Sequence, residues 1–337
     1  MFKRSRAPQD VLDEVARRDK EAKRLGLLPR MVRGGPFEVR RFAGPERWME
    51  PLEGLRVTHL TDLHVGRVTP MDVQHEAVAI ANAQQPDLVA LTGDFVCHSL
   101  NYLDELTDVL KRLNAPAIAV LGNHDYWAGG EEVQQALERA GVQVLRNQHT
   151  VLHLRGKPLQ VVGLDDAYTG HADLRAATRG LRSDIPTLAL SHIGEEADAL
   201  WDKGAELVLA GHTHAGQVTL AGLHELAVGK LAGHKYVHGV YGSRRADTLP
   251  KGALYVGAGV GAAVMPLRLG ERARREVTSF ELGMAIGAVD EHHDDQPALK
   301  GRPPTAATKA RRAAAVVKKK AKRTAKNGGS TFRLDEK

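Results

Sequence analysis

The chain has 337 residues, 42% of them hydrophobic, enough for one large folded domain or two ordinary ones with a sizeable core. A single cysteine excludes an internal disulfide framework and suits a reducing compartment, and no apolar run reaches the length of a spanning helix or a secretory core. The net charge of +6 is unevenly spread: residues 1–50 carry 13 basic and 8 acidic residues, 51–299 carry 21 and 31, and 300–337 carry 13 and 2. The middle is therefore acidic, which suits the concentration of divalent cations, and the basic ends bear on association with polyanions. A cytoplasmic location is expected, with a peripheral position at the inner membrane surface as the alternative.

In chain order, residues 1–50 form a basic extension in which the mixed-charge stretch Asp10–Leu28 predicts a surface helix with Val11, Leu12, Val15, Ala22 and Leu25 on one side. Short apolar runs over 55–61, 87–92, 117–121, 159–164, 187–191, 206–210 and 253–257 predict strands, and amphipathic stretches 72–85, 101–113, 130–140 and 195–203 predict helices. Pro86 before Asp87 marks a strand start, and Gly141 follows a helix as a C-terminal cap would. The first half thus reads as successive βαβ units, and the strand-rich second half, with 142–154 and 277–282, as a second sheet packed on the first. A domain is expected over 51–283. Residues 284–337 are expected to form a tail, disordered from about Glu291, whose Lys/Arg/Ala-rich composition buries little apolar surface. Such a tail could contact nucleic acid or an anionic membrane surface, or simply aid solubility.

Metal-type side chains fall at the ends of these predicted strands. Asp62 and His64 follow the first, Asp94 the second after Gly93, Asn123-His124-Asp125 the third after Gly122, His192 the strand 187–191, and His212 and His214 the strand 206–210 after Gly211. Five strand ends converging on one edge is the usual place for a ligand in an open α/β sheet. Carboxylate, imidazole and amide donors without a thiolate suit Mn, Fe or Zn in a reactive rather than a structural setting. Asp62, His64, Asp94, Asn123, His192, His212 and His214 are too many for one ion, whereas two ions sharing a carboxylate would use them all. The spacing Asp62-x-His64 places alternate residues on one side of an extended strand end, and His212-x-His214 does the same.

These segments, above all Gly122-Asn123-His124-Asp125 and Gly211-His212-Thr213-His214-Ala215-Gly216-Gln217, resemble the calcineurin-like metallophosphoesterase superfamily. Leu254-Tyr255-Val256-Gly257 and Met265–Gly270 are similar to its small bacterial phosphodiesterase-like branch. The resemblance implies a four-layer α/β/β/α sandwich of two mixed β-sheets flanked by helices. It implies one metal on Asp62, His64, Asp94 and His214, and a second on Asp94, Asn123, His192 and His212, with Asp94 as the bridge. Two such ions would lower the pKa of a bridging water, whose hydroxide attacks phosphorus, while His124 faces the leaving group as proton donor.

Two departures qualify this expectation. Many relatives carry a second Asp three residues after the bridging one, where this chain has Cys97; His124 should then be a weaker base unless Asp125 substitutes. Phosphodiester or pyrophosphate substrates, including lipid-linked ones, are expected over alkyl phosphomonoesters. Past His192, Ile193-Gly194-Glu195 replaces a more usual Pro-Asp. Three residues on or near the same edge, His98, Asp165 and Tyr236, are candidate substrate contacts, with His238 and Tyr241 beside the last. The alternatives are a nuclease holding nucleic acid on its basic tail, a phosphomonoesterase, and a metal-binding module without catalysis.

Overall fold

The computed structural model describes residues 37–216, 233–262, 274–289 and 298–328. The stretches Asp10–Leu28 and Met265–Gly270 lie outside them. The chain first lays down β1 (Glu38–Ala43), β2 (Arg56–Leu60), α1 (Met71–Ala83), β3 (Leu88–Thr92), α2 (Leu103–Leu110), β4 (Ala117–Val120), α3 (Asn123–Ala128), α4 (Gly130–Arg139) and β5 (Val142–Val144). There follow β6 (Gln148–Leu154), β7 (Lys157–Leu164), α5 (Leu174–Thr178), β8 (Thr187–Ser191), α6 (Ala197–Trp201) and β9 (Leu207–Ala210). Last come β10 (Gly239–Gly242), β11 (Ala253–Val256), β12 (Glu276–Glu281) and α7 (Ala306–Gly328).

Two six-stranded sheets result, ordered β1-β12-β2-β3-β4-β5 and β10-β11-β9-β8-β7-β6. Both are mixed: β2 to β5 run parallel with β12 antiparallel to β2, and β7, β8, β9 and β11 run parallel with β6 and β10 antiparallel at the edges. Strand residues alternate between faces, and here both faces are covered, which is why the central strands are continuous apolar runs. Leu88, Ala90, Ile118 and Val120 meet Leu188, Leu190, Leu207 and Leu209 between the sheets. Their neighbours Val89, Leu91 and Ala119 face outward onto Ala77 of α1, Leu106 of α2 and Leu137 of α4. On the far side Ala189, Val208 and Ala210 pack on Ala177 of α5 and Leu200 of α6. This is the α/β/β/α sandwich.

Three local expectations change. The stretch 142–154 does not lie wholly in the second sheet: the chain turns at Asn147, which is left-handed (φ 53°), so β5 closes the first sheet and β6 opens the second. The 277–282 run inserts into the first sheet as β12, because antiparallel pairing with β2 lets it cover a strand whose other edge is taken by β3. The tail, expected to be disordered, contains the 23-residue helix α7. Burial alone did not favour order there, but Ala, Lys and Arg are strong helix formers and their preferences sum over that length. No helix among the described residues is long and apolar enough to cross a membrane.

Candidate metal centre

The carboxyl ends of β2, β3 and β4 in one sheet face those of β8 and β9 in the other, so five loops meet at one edge of the sandwich. Asp62, His64, Asp94, Asn123, His192 and His214 are buried there, and His212 is half-buried. The strands stop before the ligands, however. Asp62 (φ 52°), His64 (45°), Asp94 (55°), His212 (74°) and His214 (51°) are all left-handed, so the paired donors are not the same-side residues of an extended strand. Isolated left-handed residues redirect the loops and bring the donors together instead, at a cost of about 1–2 kcal/mol per residue.

Surrounding backbone holds this geometry. Asp62 N donates to Gly93 O (3.0 Å) and His64 N to Asp94 O (2.9 Å). From the loop after β11, Val260 N donates to Thr61 O (3.0 Å) and Gly261 N to Asp62 O (2.7 Å). Gly122 and Gly211 are required by proximity, since a Cβ on the first would collide with the Asp94 carboxylate and on the second with that of Asp62.

Each side chain is aimed by a second group. Asp62 Oδ2 accepts from Thr61 Oγ1 (2.8 Å) and His212 N (3.1 Å), leaving Oδ1 buried with no hydrogen-bond partner among the described residues. The His124 amide donates to Asp94 Oδ1 (2.8 Å), while Oδ2 lies 3.5 Å from His64 Nε2 and 3.4 Å from His192 Nε2. His192 Nδ1 donates to the Thr92 carbonyl (2.7 Å), which fixes Nε2 as the inward nitrogen. His64 Nε2 and His214 Nε2 approach to 3.0 Å, and His214 Nε2 lies 3.3 Å from Asp62 Oδ1. The amide oxygen of Asn123 is likewise buried without a hydrogen-bond partner among the described residues.

Ligand atoms of Asp62, His64 and His214 all lie within 4.8 Å of one another, as do those of Asp94, His192 and His212, and those of His64, Asp94 and His124. Converging imidazole nitrogens and orphaned carboxylate and amide oxygens fit divalent cations, because a cation gives each lone pair the partner it lacks. Charge follows the same logic. Burial works to raise Asp94, but His192, His124 and His64 hold it well below the usual carboxylate range. Burial works to lower His192, yet Asp94 pushes it up to about 10, and burial with His192 and His234 keeps His212 well below the ordinary imidazole range.

His124 stands at the rim. Its Nδ1 donates to the Cys97 carbonyl (2.6 Å), and its ring centroid is 4.8 Å from that of His64 and 4.9 Å from that of Trp127. The Cys97 thiol is buried and pushed up by burial and by Asp94. Asp125 does not reach His124: its carboxylate accepts from Phe95 N (2.8 Å), Val96 N (3.1 Å) and Gly122 N (2.9 Å), clamping the β3 loop to the start of α3. Burial and Asp94 push it up to about 8, against the Gly122 and Val96 amides.

Of the candidate substrate contacts, exposed His98 has its ring 4.7 Å from His124. Asp165 is buried and committed to Tyr126 Oη, Arg146 Nε (3.2 Å) and the Asp166 amide (2.9 Å). Tyr236 donates to Asp198 (2.7 Å) and packs with Leu254 and Val256 on the outer face of the second sheet. Trp127, Tyr168 and His234 were not singled out by sequence and line the mouth. Tyr168 and His234 rings lie 5.2 and 5.3 Å from His212, and Trp127 lies 5.9 Å from Tyr168. Trp127 is one helical turn beyond Asn123, a legible signal; nothing in sequence marked Tyr168.

Residues 55–216 match the family model for calcineurin-like phosphoesterases. The phosphodiesterase YaeI of Escherichia coli is 33% identical over 67% of this chain and 82% of its own length. An uncharacterized metallophosphoesterase, YkuE of Bacillus subtilis, is 28% identical over 68% and 79% respectively. Among solved structures, a 5'-nucleotidase precursor from Thermus thermophilus aligns with a TM-score of 0.37 and 17% identity, covering 48% of this chain and 42% of that one, so this chain spans under half its length. With a relative of that identity covered over most of its length, and with donors that fit divalent cations at the converging strand ends, the chain belongs to the calcineurin-like phosphoesterases and is a metal-dependent hydrolase of phosphoric esters.

Proposed function

We propose that the protein hydrolyses phosphodiester or diphosphate bonds at a centre for two divalent ions, with Mn, Fe or Zn as the candidates. Asp62, His64, Asp94 and His214 would hold one, and Asp94, Asn123, His192 and His212 the other. The observation that carries this reading is Asp94 Oδ2, which lies between His64 Nε2 and His192 Nε2 while Oδ1 is tied to the His124 amide. When bound, the ions supply Lewis acidity and an activated water near neutral pH.

The chain's own residues then orient and discharge the substrate. His124, held through Nδ1, has Nε2 left for a leaving oxygen, to which it would donate as imidazolium. The group that fixes it is a neutral carbonyl rather than a carboxylate, which supports esters with good leaving groups over alkyl monoesters. Trp127 and Tyr168 wall the mouth and limit water around the reacting group.

Metal-loaded wild type should hydrolyse bis(4-nitrophenyl) phosphate, and Asp94→Asn should lose at least about a hundredfold, since even residues one shell further out cost up to that. Equal inactivity of both proteins across chromogenic monoester, diester and diphosphate substrates, with Mn, Fe and Zn each tried, would reject the reading.

A further inference from the structure

The C-terminal segment returns to the metal centre. Leu299 N donates to Lys235 O (2.9 Å) and Arg302 N to Gly233 O (2.8 Å), which pins residues 299–302 beside His234. A cleft of about 830 Å³ lies between this segment and Tyr168, Glu195, Glu196 and His234. On α7, Thr308, Arg312 and Val316 are the less exposed positions, spaced by four, and Lys319 continues that side. The Arg312 guanidinium carbon lies 3.6 Å from the centre of the Tyr168 ring, and Lys319 Nζ lies 4.5 Å from that of Trp127. These are the two rings beside His212 and His124. Among the described residues neither cation forms an ion pair or a hydrogen bond. Partial burial lowers the Lys319 ammonium, so an anion would restore what desolvation removes.

We infer that α7 completes the substrate site, with Arg312 and Lys319 holding an anionic group next to the scissile phosphate, so that the enzyme selects diphosphate diesters over diesters with a single charge. The inference rests on the phosphoesterase reading above. Arg312 offers a planar fork suited to two phosphate oxygens, and Lys319 a point charge about 10 Å further along the helix, a spacing that two long side chains can close around a diphosphate. The aromatic rings behind them keep both cations at the mouth.

Arg312→Met with Lys319→Met removes both charges while leaving unbranched stems on the rings, so α7 keeps its apolar docking. With the full-length Mn-loaded protein, the ratio of kcat/KM for P1,P2-diphenyl diphosphate over bis(4-nitrophenyl) phosphate should fall about tenfold or more, through KM rather than kcat. An unchanged ratio overturns the inference, and so does a variant faster on both substrates, as release of an inhibitory cover would be. Calorimetry provides a readout without turnover: preference for methylenediphosphonate over methylphosphonate should also fall about tenfold in the variant. Equal preference in both proteins sinks the inference whatever the kinetics. Wild type matching Asp94→Asn in inactivity would count against the phosphoesterase reading instead, with the binding contrast still deciding the role of α7.

Discussion

At the Cys97 position the chain keeps the orienting contact and omits the charge. The carbonyl oxygen, 2.6 Å from His124 Nδ1, does the geometric part of what a carboxylate side chain would do, and Asp125 is occupied elsewhere by three backbone amides. Cys97→Asp should therefore raise hydrolysis of an alkyl phosphomonoester relative to bis(4-nitrophenyl) phosphate by about tenfold, because a charge-assisted hydrogen bond to the ring favours its protonated form by an amount of that order. Steady-state rates on both substrates check this, and an unchanged ratio would mean that Cys97 is only a buried apolar filler. The side chains that converge at this edge were legible residue by residue. Asp, Asn and His at predicted strand ends, three of them preceded by glycine, carry both the chemistry and the place. Their left-handed backbone was not, since alternation along a strand assumes that the strand continues, and here it ends at Leu60 and Ala210.

The elements behind the site carry a pH dependence of their own. His59 of β2 is buried with Nε2 against Thr92 Oγ1 (2.8 Å), and burial lowers it to about 4 although nearby Glu276 pulls the other way. Between pH 6.5 and 4 the unfolded chain binds this proton and the folded chain does not, so stability falls as pH falls through that window, by about 3 kcal/mol at its lower end. Chemical denaturation of wild type and His59→Gln between pH 6.5 and 4.5 measures the term, and the variant should have the flatter slope; identical slopes would remove His59 as the cause. Element existence was readable for β2, β3, β4, β7, β8 and β9 because buried parallel strands give short apolar runs. Sheet membership was not, because β12 joins β2 from more than 200 residues away and no local pattern encodes that pairing.

For the whole molecule, the folded state concentrates strain and charge at one edge of the sandwich. Five candidate ligands are left-handed, and Asp62, Asp94 and Asp125 are buried near one another. Divalent cations that bind only this assembled state must stabilise the entire fold, because the ligands come from both sheets and the unfolded chain cannot gather them. At a free Mn concentration about a hundredfold above Kd the gain is roughly 2.7 kcal/mol, which for a domain of this size raises Tm by several degrees. Thermal unfolding with Mn and after EDTA should show that difference in wild type, and on the proposed ligand assignment it should shrink sharply in Asp94→Asn, whose Oδ2 lies near both His64 and His192. Asn123→Ala should lose only part of the shift, because the proposed assignment gives its amide oxygen to one ion alone. If Asp94→Asn kept the full shift, the stabilising ions would be bound elsewhere, and Asp94 could not be the group that couples the two sheets' ligands into one centre.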